Sequence, residues 1–197
     1  MKKYIFLFLC LPSFGFGQDA LDGHISTAKS EHASGNLQEA RFELEQALSE
    51  LDILISKEIL ALLPAQIGEM TANETEDQYV GNAIGFSGIF IERNYTAVNA
   101  DQSLKISLIN DSPLLTSING FLNNSLIARI SGKKVIKVEG YKVIIEQLED
   151  TAPISFDVQI PFNSSLLTLN FVGIDNQRKI IEYTKQIPIK SIIQLAQ

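Results

Sequence analysis

The chain has 197 residues, 45% of them hydrophobic, with 23 acidic side chains against 16 Lys and Arg and a net charge of −7 at pH 7. That length can bury a core without covalent staples, and a single cysteine, Cys10, excludes a disulfide framework. The acidic balance excludes a protein that tracks nucleic-acid phosphates, which depends on clustered Lys and Arg.

In chain order, Lys2 and Lys3 precede an almost wholly apolar run from Tyr4 to Pro12, and Gly15 and Gly17 stand at −3 and −1 of a cleavage point before Gln18. Positive start, apolar run and small residues are the layout of a secretory signal peptide, here residues 1–17. The run is shorter than the ~20 apolar residues of a permanent span. The expectation is therefore an exported protein, periplasmic or extracellular, with no membrane span left after cleavage. Cleavage would remove Cys10 and take the net charge from −7 to −9. Leu9 stands before Cys10, where a lipid-attachment signal has a small residue, so Cys10 reads as one more apolar residue of the run.

Residues 18–64 read as a helical hairpin, with helices expected over 20–33 and 37–63. Ser34-Gly35-Asn36 is the connection, since Gly35 can take the positive φ that ends a helix. In the second helix Leu37, Ala40, Leu44, Ala47, Leu48, Leu51, Leu54 and Ile55 recur at three- and four-residue steps, one apolar stripe facing a partner. Pro64 ends it. Gly35-Asn36-Leu37-Gln38-Glu39-Ala40, then Leu44 and Ala47-Leu48, with Ala28 as the small residue of the first helix, resembles the central half of a tetratricopeptide repeat over about residues 24–50. No second copy follows. Such repeats bury their faces by stacking, about three at a time. A lone hairpin of about 45 residues cannot stabilise its own core, so its stripe is expected to be covered by the following domain, a second copy or a partner.

Residues 65–82, with Gly68, Thr71, Asn73, Glu74, Thr75, Glu76 and Asp77, read as a polar, acidic linker. From residue 83 to 197 the grammar is that of strands: 86–92, 104–109, 134–139, 141–148, 156–162 and 166–172. The strict alternation of Phe156, Val158, Ile160 and Phe162 with polar neighbours marks a strand buried on one face. Asp111-Ser112-Pro113 opens a middle helix whose buried face would be Leu114, Ile118, Phe121, Leu122, Leu126 and Ile127. A last helix is expected from Asp175 to Gln186, with a short helical tail after Ile187-Pro188-Ile189. The order β-β-α-β-β-β-β-α with hairpin-length links gives an α+β fold, a mostly antiparallel sheet packed with helices. That order and the closing Gln186-Ile187-Pro188-Ile189-Lys190 resemble the Mog1/PsbP-like α/β sandwich over about 80–197. The resemblance implies a binding or assembly accessory.

Chemistry-bearing constellations are sparse. His24 and His32 are eight residues apart, about two helical turns. Chelation by a helix wants i, i+4 spacing, so these two, with Glu31, read as surface residues. No Gly-x-Ser-x-Gly elbow occurs. Glu74/Asp77 and Glu149/Asp150 lie in polar turns, where solvation accounts for them. Gly81, Gly85 and Gly88 read as strand glycines, and Gly120 as a packing glycine of the middle helix. Lys133, Lys134, Lys137 and Lys142 alternate with apolar residues, as on a solvated strand face. Asn73, Asn94, Asn123 and Asn163 are glycosylation sequons, relevant only in a glycosylating host. No residue is assigned a catalytic, cofactor-binding or metal-binding role, and no cofactor is expected. The expected function is a non-catalytic binding or assembly accessory of the cell envelope, its partner a protein. The alternatives are a carrier of a small apolar ligand between sheet and middle helix, and a carboxylate-dependent hydrolase.

Overall fold

A computed structural model describes residues 16–80, 88–99, 101–110, 133–148 and 151–197, with Ser112, Leu114, Leu115 and Ile118. The chain divides into two compact units, Met1–Glu50 and Leu51–Gln197. The fold is α+β: a helical hairpin, then a nine-stranded antiparallel open sheet with C-terminal helices.

The hairpin is α1 (Phe16–Ala33) followed by α2 (Leu37–Leu62), whose last turns belong to the second unit. Gly35 turns between them at φ +83°, and Asn36 N–H closes the end of α1 on Glu31 O at 2.9 Å. The small residues Ala28, Ala40 and Ala47 are buried in the first unit, as close helix approach requires. His24 Nδ1 bonds Glu43 Oε2 across the pair at 2.6 Å. The signal-peptide segment up to Gly15 lies outside the described residues.

The segment read as a linker is instead part of the sheet. β1 (Gln66–Ile67), β2 (Met70–Ala72) and β3 (Gln78–Val80) flank a 3₁₀ turn at Glu74–Glu76. Their polar composition reflects an edge position, where one side of the strand meets water, and two or three residues are too few to show a period. Ile67 and Met70, both fully buried, anchor them. Gly68 is required between those two: its φ is +58°, and a Cβ there would stand 2.3 Å from the Tyr183 ring.

The next strand also departs from expectation. β4 runs Phe90–Ala97, through Arg93 and Asn94, where a break was expected after residue 92; Phe86 lies outside the described residues. β5 (Ser103–Asn110), β6 (Lys134–Val138), β7 (Tyr141–Leu148), β8 (Ser155–Phe162) and β9 (Ser165–Val172) lie within a residue of the expected strands. The sheet order is β1-β2-β4-β5-β9-β8-β7-β6, with β3 also on β4. One face carries Ile91, Ile106, Leu169, Val158 and Ile145 in cross-strand register (Ile91 one pair off the line), all fully buried. Ile59, Leu60 and Leu63 from the end of α2 join that core, as do residues of α3 (Gln177–Thr184) and α4 (Ile189–Leu195).

On the opposite face Ile118 packs against Ile144 and Leu166. Ser112 Oγ accepts from Leu114 N–H at 3.4 Å, as a helix-opening serine does. Phe121, Leu122, Leu126 and Ile127 of the expected middle helix, with Gly120, lie outside the described residues. α3 starts two residues after the expected Asp175, capped by Asn176, whose side chain accepts from Arg178 N–H. α4 is capped across space: Lys190 N–H donates to Glu139 Oε2 at 2.7 Å, from the β6–β7 turn.

Candidate functional site

The apolar stripe of α2 does two things. Ala40 and Ala47 are buried, whereas Leu37, Leu44, Leu48 and Leu51 are 64%, 53%, 57% and 41% exposed. At 100° per residue those four leucines lie within about 60° of one another, and the centre of their row is about 50–70° round from the two alanines. The stripe read as one face therefore divides in two, and its leucine side is exposed in the single chain. Two adjacent faces share the same three- and four-residue spacing, and only the small-residue one is buried. Scattered exposed leucines are ordinary, but a row along one helix face is a recognition surface in form.

A second constellation is buried and polar. Arg93 points inward from β4 with 4% of its surface exposed. Its Nε donates to Asp77 Oδ1 at 2.8 Å, its Nη2 donates to Asp77 Oδ2, and its Nη1 reaches Leu63 O at 3.4 Å. Tyr95, two residues on and on the same face, donates its hydroxyl to Pro64 O at 2.9 Å. The hydrogen bond to Asp77 holds Arg93 above its ordinary pKa, and burial pushes the Tyr95 phenol up to about 12. The pair thus satisfies carbonyls left open where α2 ends, with a positive charge where the helix dipole is negative. Its polar groups are spent on structure. Asp77, read as a solvated turn acid, is instead 13% exposed at its side chain, while Glu74 stays exposed. The available signal was a lone arginine at an inward position of the Ile91-Arg93-Tyr95-Ala97 alternation.

Across the other face of the sheet runs a polar row in register: Asn94, Lys105, Asn170, Asp157 and Glu146. These groups are turned on one another. Asn170 Nδ2 donates to Asp157 Oδ1 at 2.6 Å, Lys105 pairs with Glu92 at 3.4 Å, and Lys133 with Glu146 at 2.7 Å.

The remaining residues singled out by sequence are dispersed. His24 is bound to Glu43, His32 is exposed, and Glu31 accepts from Asn36 Nδ2 at 2.7 Å. Among the described residues no three His, Cys, Asp or Glu side chains are grouped to hold a metal ion. Lys137 and Lys142 face each other across β6 and β7, and Lys134 reaches Gln177 Oε1 at 3.4 Å. Gly88 has φ +110° beside Asn110. Asn73 and Asn94 are half-buried and Asn163 is an exposed turn residue. Glu149, Asp150, Gly81, Gly85 and Asn123 lie outside the described residues. Among the described residues no helix is long and apolar enough to cross a membrane. Comparison of the chain with known protein families, with curated proteins and with solved structures finds no match.

Proposed function

We propose that this chain is an exported, non-catalytic accessory protein that binds another polypeptide through the exposed leucine face of α2. The observation that carries the reading is the row Leu37, Leu44, Leu48 and Leu51, each more than 40% exposed on one helix face. Burying apolar surface is worth about 25 cal/mol per Å², and a helix face of this spacing fits a groove or a second helix. The tetratricopeptide-like hairpin and the Mog1/PsbP-like element order support a binding role by analogy, and the N-terminal pattern supports export. A carboxylate hydrolase would need an acid held ready in a dry pocket; Asp77, with 13% of its side chain exposed, is committed to Arg93.

The test is a photo-crosslinking residue placed at Leu44 or Leu48 in the chain expressed in its own host, with Asn163 as an exposed control. The expected result is a covalent protein adduct from the α2 positions, absent from Asn163, lost from the Leu44 probe when Leu48→Asp is added and from the Leu48 probe when Leu44→Asp is added. Equal labelling from all three positions would defeat the binding reading. Mass spectrometry of the exported chain should place its N-terminus at or near Gln18, and a chain retained in the cell from Met1 would defeat the export reading.

A further inference from the structure

The exposed face of α2 carries more order than a row of leucines. Positions 37, 41, 44, 48, 51, 55, 58 and 62 alternate steps of four and three without a break, and hold Leu, Arg, Leu, Leu, Leu, Ile, Glu and Leu. That is a heptad seam of period 3.5 over a 26-residue helix. Leu37, Arg41, Leu44, Leu48, Leu51, Glu58 and Leu62 are exposed, and Ile55 is half-buried, leaning on the sheet core. A seam serving only the hairpin or the sheet would be buried along its length.

The two charged positions identify the occupant. In an antiparallel pair of such helices the layers join residues whose numbers share one sum. Centring the pair between Leu48 and Leu51 sets Leu37 against Leu62, Leu44 against Ile55, Leu48 against Leu51, and Arg41 against Glu58. Every apolar position then meets an apolar one, and the only cation of the seam meets its only anion, twice by symmetry. Sliding the pair by a heptad drives Arg41 against Leu51. A parallel pair sets Arg41 against Arg41 and Glu58 against Glu58. Polar residues at seam positions select register and orientation in this way, since wrong pairings leave a charge unmatched. Arg41 already donates Nε to Glu45 at 2.9 Å, so its Nη groups remain to reach across. Glu45 comes beside Asp52 of the second copy, a like-charge flank that weakens the association without changing the register.

We infer that α2 is a self-association element, and that the partner it takes is α2 of a second copy of this chain, antiparallel, with Arg41 of each copy paired to Glu58 of the other. The inference rests on the binding reading above and names its partner.

The purified full chain, alone, is followed by sedimentation across roughly 1 to 500 µM, where mass action moves a dimer of moderate affinity from dissociated to formed. The expected result is a monomer–dimer equilibrium. Arg41→Glu and Glu58→Arg should each weaken it about tenfold or more, and the two together should restore it to within about threefold, because the double variant rebuilds the pair with signs exchanged. All these side chains are exposed, so the fold should not change, and the recovery in the double variant guards against a variant that merely misfolds. A spin label at Glu39→Cys, in a Cys10→Ser background, should read an axial separation of roughly 30 Å in the dimer, since the antiparallel register sets position 39 opposite 60. A chain monomeric throughout, single swaps without effect, a double variant no better than either single, or a short 39-to-39 distance would each overturn the inference. A chain that stays monomeric yet still gives heterologous adducts from Leu44 or Leu48 in its host would overturn self-association alone and leave the binding reading standing. Monomer with no specific adducts would end both.

Discussion

Arg93 of β4 and Asp77, sixteen residues earlier, form a two-pronged ion pair with 5% and 13% of their side chains exposed. The pair lies where β2 and β3 meet the same edge of β4 on either side of the Glu74–Glu76 turn. It therefore ties the early, polar part of the sheet to the strand that carries the core and to the Leu63 carbonyl just beyond α2.

Breaking that pair from one side leaves an uncompensated charge out of water. Asp77→Ala should lower unfolding free energy by about 3–5 kcal/mol. Arg93→Met with Asp77→Ala should lower it by much less than Asp77→Ala alone. A urea-denaturation double-mutant cycle reads the coupling, and additive single effects would show that the pair does not act as a unit.

Tyr95 should ionise only at high pH. Its phenol is held up at about 12 by burial, above the ordinary value near 10. The folded state keeps that proton to higher pH than the unfolded chain, so its contribution is full below about pH 10 and is lost as pH rises toward 12. Two pKa units correspond to about 3 kcal/mol as an upper bound. Tyr95→Phe should cost about 1 kcal/mol at pH 7 through the lost bond to Pro64 O. The gap between wild type and variant should then narrow and reverse between pH 10 and 12. Ultraviolet titration of phenolate, with denaturation at each pH, reads both effects.

Ser56 offers a stabilising change. It is fully buried on α2, and its hydroxyl has no hydrogen-bond partner among the described residues. Alanine removes an unsatisfied buried polar group and has the better helix propensity. Ser56→Ala should raise stability by about 1 kcal/mol, read as an increase in the midpoint of thermal unfolding. A loss of similar size would mean that the hydroxyl is satisfied in solution.

Glu139 caps a helix 51 residues away, through Lys190 N–H. Glu139→Gln keeps an acceptor but loses the charge facing the N-terminus of α4, and should cost about 0.5 kcal/mol. Glu139→Ala loses both and should cost about 1 kcal/mol. Hydrogen exchange at Lys190 should accelerate in the same order. Equal exchange in all three proteins would remove the cap from the account of α4.

Element types in this chain are local properties, and they are legible. Alternation at Phe156–Phe162, turn residues at Gly35 and Gly140, and the Pro188 start of α4 each concern neighbours a few residues apart. Such features constrain the backbone whatever the rest of the chain does. The strands at 66–80 were illegible for the matching reason. Strands of two and three residues show no period, and β4, the partner of β2 and β3, pairs with them across 10 to 27 positions. β4 itself was cut short because Arg93 and Asn94 look like turn residues until Asp77 is brought alongside.

By itself the sequence determined the helical hairpin, most of the strands and an antiparallel α+β class, because the periods 3.6 and 2 are written in consecutive side chains. Tertiary structure alone decided the sheet order, the inward turn of Arg93 onto Asp77, and which of α2's two apolar faces is covered. Those depend on residues that meet across 16 to 69 positions of chain. A stripe at three- and four-residue steps is the same signal whether it faces α1 or water. Only the burial of Ala28, Ala40 and Ala47 and the bond of His24 to Glu43 show which face was taken, while Leu37, Leu44, Leu48 and Leu51 were left open.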